Sequence, residues 1–397
     1  MNRTSRCVAA GAAALLPLLV AAAAGSNWVP VPSPNLGTTN FLQSAAAVSD
    51  SDAWAAGYAY TSSRAQLTLL EHWDGASWIR VPSPNPGTAQ RCGDRRYTGN
   101  SLWGVAAISS TDVWAVGRIC TWSTFQTLAE HWDGAAWTVI PSPNQPGADS
   151  SVLTSVTAIS SNDVWAAGDF EPRGTYIWLT LIEHWNGTNW SIVSSPNPAR
   201  ASNFLNGIAA TSPSDVWAVG YTQPKPTYTP EVPLIEHYDG SAWSVVPSAH
   251  PAQSLFNELY AVTARSSTDA WAVGYENENS QGQNGTGLIE HWDGTAWTLA
   301  DSPIAGSATS LTSVTTSALG DAWAAGYITT GNVQFLPVTE HWNGAAWTLD
   351  VPPIPGETGQ LFGATSASGK VWTVGAFSKS TETSGYLPTP RTLILER

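Results

Sequence analysis

The chain has 397 residues, of which 22 are Trp, and only 12% of its residues are charged. A hydrophobic fraction of 43% excludes a disordered chain. The formal net charge of −14 argues against nucleic acid or an anionic membrane as the partner, because both bind basic surfaces. The number of Trp residues is the feature that any interpretation has to explain.

Residues 1–24 have the organisation of a secretory signal peptide. Arg3 and Arg6 form a basic start, an apolar run follows over 8–24, and the small residues 22–24 offer a cleavage site. No later segment reaches 18 consecutive apolar residues, so the sequence predicts no membrane span after signal removal. We therefore expect a secreted, extracellular protein whose residues 25–397 form a single domain.

One short motif recurs along the rest of the chain. The pattern D-[VA]-W-A-[VA]-G occurs six times, and a looser copy, K-V-W-T-V-G, follows; successive copies are 49 to 60 residues apart. The Trp residues of the copies are Trp54, Trp114, Trp165, Trp217, Trp271, Trp323 and Trp372. Self-similarity at a period of about 50 residues is typical of solenoids and propellers.

A second motif, E-H-[WY]-[DN]-G-x-x-W, follows each of the first six copies. It begins at Glu71, Glu130, Glu183, Glu236, Glu290 and Glu340. The seventh repeat stops just after Glu396, while residues 25–35 match residues 75–85 almost position by position. A repeat shared between the two termini predicts a closed ring, since an open solenoid does not need one.

Each repeat contains four short apolar segments separated by turn signals. Asp-Gly or Asn-Gly between the third and fourth segments indicates a tight hairpin, and a polar S-x-x-D step lies between the first and second. The repeats predict an all-β, seven-bladed β-propeller with four antiparallel strands per blade. An N-terminal outer strand would close the ring and leave one exposed sheet edge fewer.

These motifs resemble those of kelch-type propellers. V-W-A-V-G-Y is similar to a kelch second strand that ends in Gly, and I-E-H-W-D-G-T-A-W-T is similar to the kelch third and fourth strands. A single Gly stands where kelch repeats have two. The W-D-G-x-x-W segment also resembles Trp-rich seven-bladed bacterial propeller lectins, and that likeness implies sugar binding between blades.

The repeated Glu-His pair invites a comparison with metal or acid–base sites. Neighbouring side chains on a strand point to opposite faces, so Glu71 and His72 would not hold one ion together. We interpret the Glu and His, with the turn Asp and the Trp N–H groups, as a buried hydrogen-bonded network between blades. A repeated ligand site is the alternative. The sequence predicts no metal and no cofactor.

The residues that do not repeat carry the functional information. All the length variation falls on one side of the predicted blades, the long-loop face, and variable loops on a rigid scaffold are the usual place for binding. Trp103, Trp122 and Trp178 have no counterpart in other repeats, and Tyr260 and Phe362 occupy the Trp103 position in two other blades. We expect these rings to contact a ligand; packing beneath their own loops is the alternative.

Arginines gather on the long-loop face of an otherwise acidic protein. They are Arg91, Arg95, Arg96, Arg118, Arg173 and Arg200. Beside exposed aromatic rings, Arg95, Arg118 and Arg173 would bind carboxylates or sulfates of an anionic glycan. The alternative is a set of surface charges paired with nearby acids such as Asp169 and Glu171.

Two cysteines follow the signal segment, Cys92 and Cys120, and both map to the long-loop face. An exported protein permits a disulfide between them, and two unpaired thiols are the alternative.

These features favour a non-catalytic binding protein that recognises a carbohydrate or glycoconjugate through the long-loop face. An extracellular scaffold or adhesion propeller with a protein partner is the second hypothesis, and a sialidase-type glycoside hydrolase is the third. The chain has no G-x-S-x-G elbow and no Cys or His cluster with metal spacing, which makes an enzyme the weaker hypothesis. The spacing of the non-repeat acids does not single out a catalytic pair. We expect a monomer.

Overall fold

The computed structural model describes residues 26–87, 98–121, 124–198, 202–223, 230–251, 254–277, 285–303, 308–317, 320–329, 334–379 and 389–397. Within these ranges the regular structure consists of β-strands, and none of the described residues forms a helix that could cross a membrane. The all-β prediction is confirmed. The signal segment 1–24, Cys92, Arg95 and Trp122 lie outside the described residues.

The strands follow the repeats of the sequence. The first is β1 (Val29–Val31). The next eight are β2 (Thr39–Ser49), β3 (Asp52–Tyr60), β4 (Ala65–Trp73), β5 (Trp78–Val81), β6 (Thr98–Ser109), β7 (Asp112–Thr121), β8 (Thr124–Trp132) and β9 (Trp137–Val139). They are followed by β10 (Ala148–Ser160), β11 (Asp163–Pro172), β12 (Leu179–Trp185), β13 (Trp190–Val193), β14 (Ser202–Ser212), β15 (Asp215–Gln223), β16 (Val232–Tyr238) and β17 (Trp243–Val245). The last are β18 (Phe256–Ser266), β19 (Asp269–Asn277), β20 (Thr286–Trp292), β21 (Trp297–Leu299), β22 (Ala308–Thr316), β23 (Ala322–Thr329), β24 (Phe335–Trp342), β25 (Trp347–Asp350), β26 (Thr358–Ala367), β27 (Lys370–Ser378) and β28 (Arg391–Glu396).

The strands form five four-stranded sheets and one eight-stranded sheet. Four of the smaller sheets take consecutive strands in chain order, from β10–β13 to β22–β25, and the fifth has the order β1-β28-β27-β26. The eight-stranded sheet contains β2–β5 and β6–β9, joined by a parallel pairing of β4 with β6 over two residue pairs. We call each set of four mutually antiparallel strands a unit.

The hydrophobic core lies mainly at the contacts between successive units. Trp114, which is 1% exposed, packs in one cluster with Leu153 and Trp190 of the following unit. The rings of Trp114 and Trp190 meet edge to face, with centroids 5.2 Å apart. The same contact recurs in the pairs Trp54–Trp137, Trp165–Trp243, Trp217–Trp297, Trp271–Trp347 and Trp28–Trp323. Much of the unusual Trp content therefore packs units together.

The tight turns between third and fourth strands are stabilised by the residue before the Gly. The Asp74 carboxylate accepts hydrogen bonds from the N–H groups of Ala76 and Ser77 at 2.9 and 2.8 Å. Gly75 has φ of +92°, a left-handed conformation that Gly adopts without strain. The Asp-Gly signal thus encodes the hairpin that the sequence predicts.

A β-bulge interrupts the first strand of each unit one residue after a buried Leu. The bulged residues are Gln43, Trp103, Thr154, Asn206, Tyr260, Thr312 and Phe362. The Leu that precedes the bulge pairs with the Gly of the repeated motif, as Leu102 does with Gly117. A side chain on Gly117 would overlap the carbonyl oxygen of Ser101, because the first strand passes directly over this Gly. The motif keeps Gly here to make room for the neighbouring backbone.

We expect Gly117→Ala to lower the free energy of unfolding by about 1–3 kcal/mol, because the added methyl group has no space beside the Ser101 backbone. Denaturant unfolding of the variant and the parent measures the difference. Gly359→Ala is the matched control, since a methyl group there would meet its nearest neighbour, the Ala376 oxygen, at an ordinary 3.4 Å. Equal losses of stability in the two variants would contradict this explanation of the Gly.

Candidate functional site

The bulges direct three of the aromatic residues singled out by sequence. Trp103, Tyr260 and Phe362 are all bulged residues, and a bulge commonly re-aims a side chain out of the regular pleat. Their rings are half-buried. The sequence comparison therefore identifies one structural position shared by three units.

Polar residues at the same position have a structural role. Thr154 Oγ1 donates to the Leu205 oxygen at 2.7 Å, and Thr312 Oγ1 donates to the Leu361 oxygen at 2.7 Å. Asn206 Nδ2 donates to the Leu259 oxygen at 2.8 Å. Each bond joins a bulge to the next unit. The carbon atoms of an aromatic ring cannot donate such a hydrogen bond. Trp103, Tyr260 and Phe362 therefore depart from the structural role of the polar residues at this position.

Trp103 and Trp178 line the same cavity, which has a volume of about 200 Å³. Phe204 adds a third aromatic ring to its wall, and Arg118 and Asp169 supply its charged groups. These residues come from β6, the segment before β12, β14, β7 and β11, so the cavity lies where three successive units meet. The structure brings together three of the sequence-predicted binding residues here, namely Trp103, Trp178 and Arg118.

Arg118 lies between two aromatic rings. Its guanidinium carbon is 5.3 Å from the centroid of Trp103 and 4.2 Å from that of Phe125. Such cation–π contacts stabilise both partners and fix the orientation of the ring. The indole N–H of Trp103 also donates to Ser101 Oγ at 2.8 Å. Trp103 is therefore held in place before any ligand arrives.

Asp169 places a carboxyl group in the wall of the cavity while only 5% of the residue is exposed. The N–H of Leu205 donates to its Oδ1 at 2.8 Å. Among the described residues this is the only hydrogen bond of the Asp169 carboxyl group, and none of them forms an ion pair with it. Burial raises the pKa of Asp169 well above its ordinary range, because the charged form loses its hydration.

Trp178 is positioned through its backbone. Its N–H donates to Ser202 Oγ at 3.1 Å, and its carbonyl accepts from the Asn203 N–H at 2.7 Å. These bonds tie the segment before β12 to the start of β14. Trp178 is thus fixed against the neighbouring unit, with its half-buried ring at the cavity.

Arg173 lies apart from this cavity. It lines a second cavity of about 220 Å³ together with Asp149, and its Nε is 3.4 Å from Asp149 Oδ1. The side chain of Arg173 is 84% exposed, so this ion pair contributes little to stability. Arg118 and Arg173 are therefore not parts of one anion-binding cluster.

Tyr260 and Phe362 also lie outside the cavity of Trp103. The centroid of Phe362 is 6.4 Å from that of Phe41, which in turn lies 5.3 Å from Tyr58. The ring centroid of Tyr58 is 6.1 Å from that of Trp103, so these rings form a continuous row that leads to the cavity. Tyr260 instead donates its hydroxyl hydrogen to Glu258 Oε2 at 2.7 Å.

The structure selects one acid pair that sequence spacing did not. Glu231 and Glu258 lie near each other, and Gln223 Nε2 donates to Glu231 Oε1 at 2.8 Å. Burial and the neighbouring carboxyl raise the pKa of Glu258 well above its ordinary value. Glu231 directly precedes β16, Glu258 lies in β18, and neither residue lines the cavity of Trp103.

The repeated Glu and His residues have separate structural partners. His72, His131, His184, His237 and His291 each form a hydrogen bond of 2.8–3.0 Å with the Asp before the motif Trp. Five of the six fully buried Glu residues accept from a serine of the preceding connection, as Glu183 does from Ser142 at 2.7 Å. Neither carboxylate oxygen of Glu130 has a hydrogen-bond partner among the described residues. The indole N–H groups of most buried Trp have no hydrogen-bond partner among the described residues, so they do not join the predicted network.

The described part of the chain holds no group of three or more His, Cys, Asp or Glu side chains that could bind a metal ion. Cys120 is 3% exposed and takes part in a disulfide. Its proposed partner, Cys92, lies outside the described residues, and so do the binding candidates Arg95 and Trp122. The predictions made for these three residues stay predictions.

The reasoning from sequence missed Phe204 as a wall of the cavity, and it treated Asp169 as a possible charge partner and as one of several non-repeat acids. A signal for Asp169 exists in the repeats. The residue after the motif Gly is Tyr58, Arg118, Asp169, Tyr221, Tyr275, Tyr327 or Ala376, so Asp169 is the single acid at this position.

Comparison with known proteins identifies the fold. No protein-family model matches the chain, and no curated protein matches it in sequence. A structure described as "YCF48 bound to D1 peptide" aligns over 93% of this chain and 96% of its own, with 12% identity and a TM-score of 0.52. The chain is a β-propeller. A "WD40 beta propeller domain of Doa1" aligns over 93% of this chain and 97% of its own, with 10% identity and a TM-score of 0.55. At these identities the propellers share the fold alone.

Proposed function

We propose that this propeller is an exported, non-catalytic binding protein that recognises a glycan in the cavity between Trp103 and Trp178. In this proposal residues 1–24 direct export and are then removed, which leaves residues 25–397 as one secreted domain. The kelch-like and lectin-like character of the repeats is part of the same proposal. A β-propeller is a rigid scaffold suited to a binding role, and the paired Trp residues are the observation that carries the choice of site.

We also propose that the propeller has seven blades and is closed by its N-terminal strand. The two units of the eight-stranded sheet are joined by only two residue pairs, and each carries its own copy of both motifs, which favours two blades. The first strands of successive units contact one another from β2 to β26, and β26 contacts β2. β1 pairs with β28. Asn35 Oδ1 accepts a hydrogen bond from the Thr392 N–H at 3.1 Å, and Asn85 Oδ1 accepts the equivalent bond from the Thr68 N–H at 2.9 Å.

The shape and chemistry of the cavity support a sugar ring as the ligand. A volume of about 200 Å³ is below the range of about 300–1,000 Å³ that is usual for small-molecule sites, so it suits one ring of a longer molecule. Trp103, Trp178 and Phe204 offer flat apolar faces for the C–H side of a sugar. Asp169 provides a hydrogen-bond acceptor at the same cavity.

A protein or peptide partner is the second candidate. One of the propellers with the same fold is described as bound to a peptide, and exposed aromatic rings also anchor protein partners. A sialidase-type hydrolase is less well supported. It would need convergent arginines, but Arg118 and Arg173 line different cavities.

A glycan array followed by calorimetry tests the proposed function. We expect the mature protein to bind at least one oligosaccharide, and Trp103→Ala and Trp178→Ala each to weaken binding by about tenfold or more. Tyr176→Ala is the matched control, because Tyr176 is 82% exposed on the same loop but does not line the cavity. If Tyr176→Ala weakened binding as much as the Trp variants, the cavity would not be the binding site. Binding of peptides without binding of any saccharide would favour a protein or peptide partner.

A further inference from the structure

We propose that the glycan bound in this cavity carries a positively charged amino group, which forms an ion pair with Asp169. The inference rests on the proposed function and names the class of ligand within it. It replaces the anionic glycan that the clustering of arginines in the sequence suggests.

The first support is the incomplete bonding of a buried carboxyl group. Asp169 is 5% exposed and lines the cavity, yet Oδ2 receives no hydrogen bond from any of the described residues. Taking such a group out of water is unfavourable unless it is paired. In the free protein the cost is limited by protonation, since burial raises the pKa of Asp169. A cationic ligand would supply the missing partner, and the carboxyl proton would pass to solvent.

The second support is that the nearby arginines have other contacts. The Arg118 guanidinium lies over the rings of Trp103 and Phe125, and Arg173 pairs with Asp149 at the second cavity. Neither of them forms an ion pair with Asp169 within the part of the chain that the structure describes. An anionic sugar in the cavity would instead oppose ionisation of the buried Asp169 carboxyl group.

The third support comes from the aromatic walls of the cavity. The faces of Trp and Phe rings attract cations, and an aromatic wall beside a carboxylate is a common arrangement for binding ammonium groups. Trp103, Trp178 and Phe204 provide such faces around Asp169.

Calorimetry with matched oligosaccharides tests this inference. The probes are trimers of glucosamine and of galactosamine, each with a free amine, and the N-acetylated form of each trimer, at a pH where the amine is protonated. We expect the parent protein to bind a free-amine trimer at least about tenfold more tightly than its N-acetylated form. We expect Asp169→Asn to abolish this preference, because Asn keeps the shape and the acceptor for Leu205 but has no charge.

Asp149→Asn is the matched control, since it makes the same change of charge at the second cavity and is expected to keep the preference. Thermal unfolding of both variants checks that they are folded. Equal or tighter binding of N-acetylated trimers, or a preference that persists in Asp169→Asn, would overturn the inference and leave the proposed function intact. Failure to bind any saccharide would overturn both. If the protein bound a lysine-containing peptide and no saccharide, the ammonium group would belong to a protein partner, and the glycan assignment would be wrong.

Discussion

Replacing Trp28 with Ala is expected to lower the free energy of unfolding by about 3–5 kcal/mol, the range for removing a buried Trp side chain. Trp28 precedes β1 and is 2% exposed. It packs in one cluster with Trp323 of the neighbouring unit and with Leu393 and Leu395 of β28. Its ring meets Trp323 edge to face at 5.6 Å, so it makes the same contact as the internal outer-strand Trp residues. Denaturant unfolding measures the change.

The controls for Trp28 separate ring closure from general packing. Trp190→Ala, at the equivalent place in an internal unit, is expected to cost as much, because Trp190 is 4% exposed and makes the same contact with Trp114. Val29→Ala is expected to change stability by less than about 0.5 kcal/mol, since Val29 is 55% exposed. If Trp28→Ala lowered the free energy of unfolding only slightly and Trp190→Ala lowered it strongly, the N-terminal strand would not belong to the ring.

The stability of the protein is expected to fall as the pH rises from 5 to 8. Burial raises the pKa of Glu71, Glu130, Glu183 and Glu236 to about 8, and that of Glu340 to about 7. An unfolded Glu loses its proton near pH 4.3. Between these values the folded state holds more protons than the unfolded state, so the free energy of unfolding decreases with rising pH. We expect a loss on the order of 5 kcal/mol or more across this window.

A substitution at one of these sites identifies the source of the pH dependence. Glu183→Gln keeps the shape and an acceptor for Ser142, but it has no proton to lose, so the variant is expected to lose less stability than the parent between pH 5 and 8. Asp74→Asn is the control. The N–H groups of Ser77 and Ala76 lower the pKa of Asp74, so its titration affects stability only in acid. A melting temperature that rises or stays level from pH 5 to 8 would contradict the burial of neutral glutamates.

Most of the fold can be predicted from the repeated residues, because each of them has one local structural reason. The Asp-Gly step encodes a hairpin, and the apolar runs around the motif Trp encode strands that are packed on both faces. The bulge could not be predicted in this way. Strand alternation alone places Trp103 in a regular pleat, whereas the structure leaves it unpaired and turns its ring toward the cavity. Gly117, which pairs with Leu102, marks the position of this bulge in the sequence.

The site is less predictable because its residues come together only where units meet. Trp103 and Trp178 stand out in the sequence as unrepeated Trp, but Phe204 looks like an ordinary strand residue. Arg173 has the same sequence character as Arg118, yet it points into a different cavity. Contacts between units depend on the arrangement of three sheets, which no pattern within one repeat specifies.

A crystal structure of the mature protein with its tightest-binding oligosaccharide is the decisive test of a glycan site between Trp103 and Trp178. We expect a sugar ring stacked between Trp103 and Trp178, with a polar group of the ligand within hydrogen-bond distance of Asp169 Oδ2. A saccharide bound elsewhere on the propeller, with this cavity empty, would contradict it.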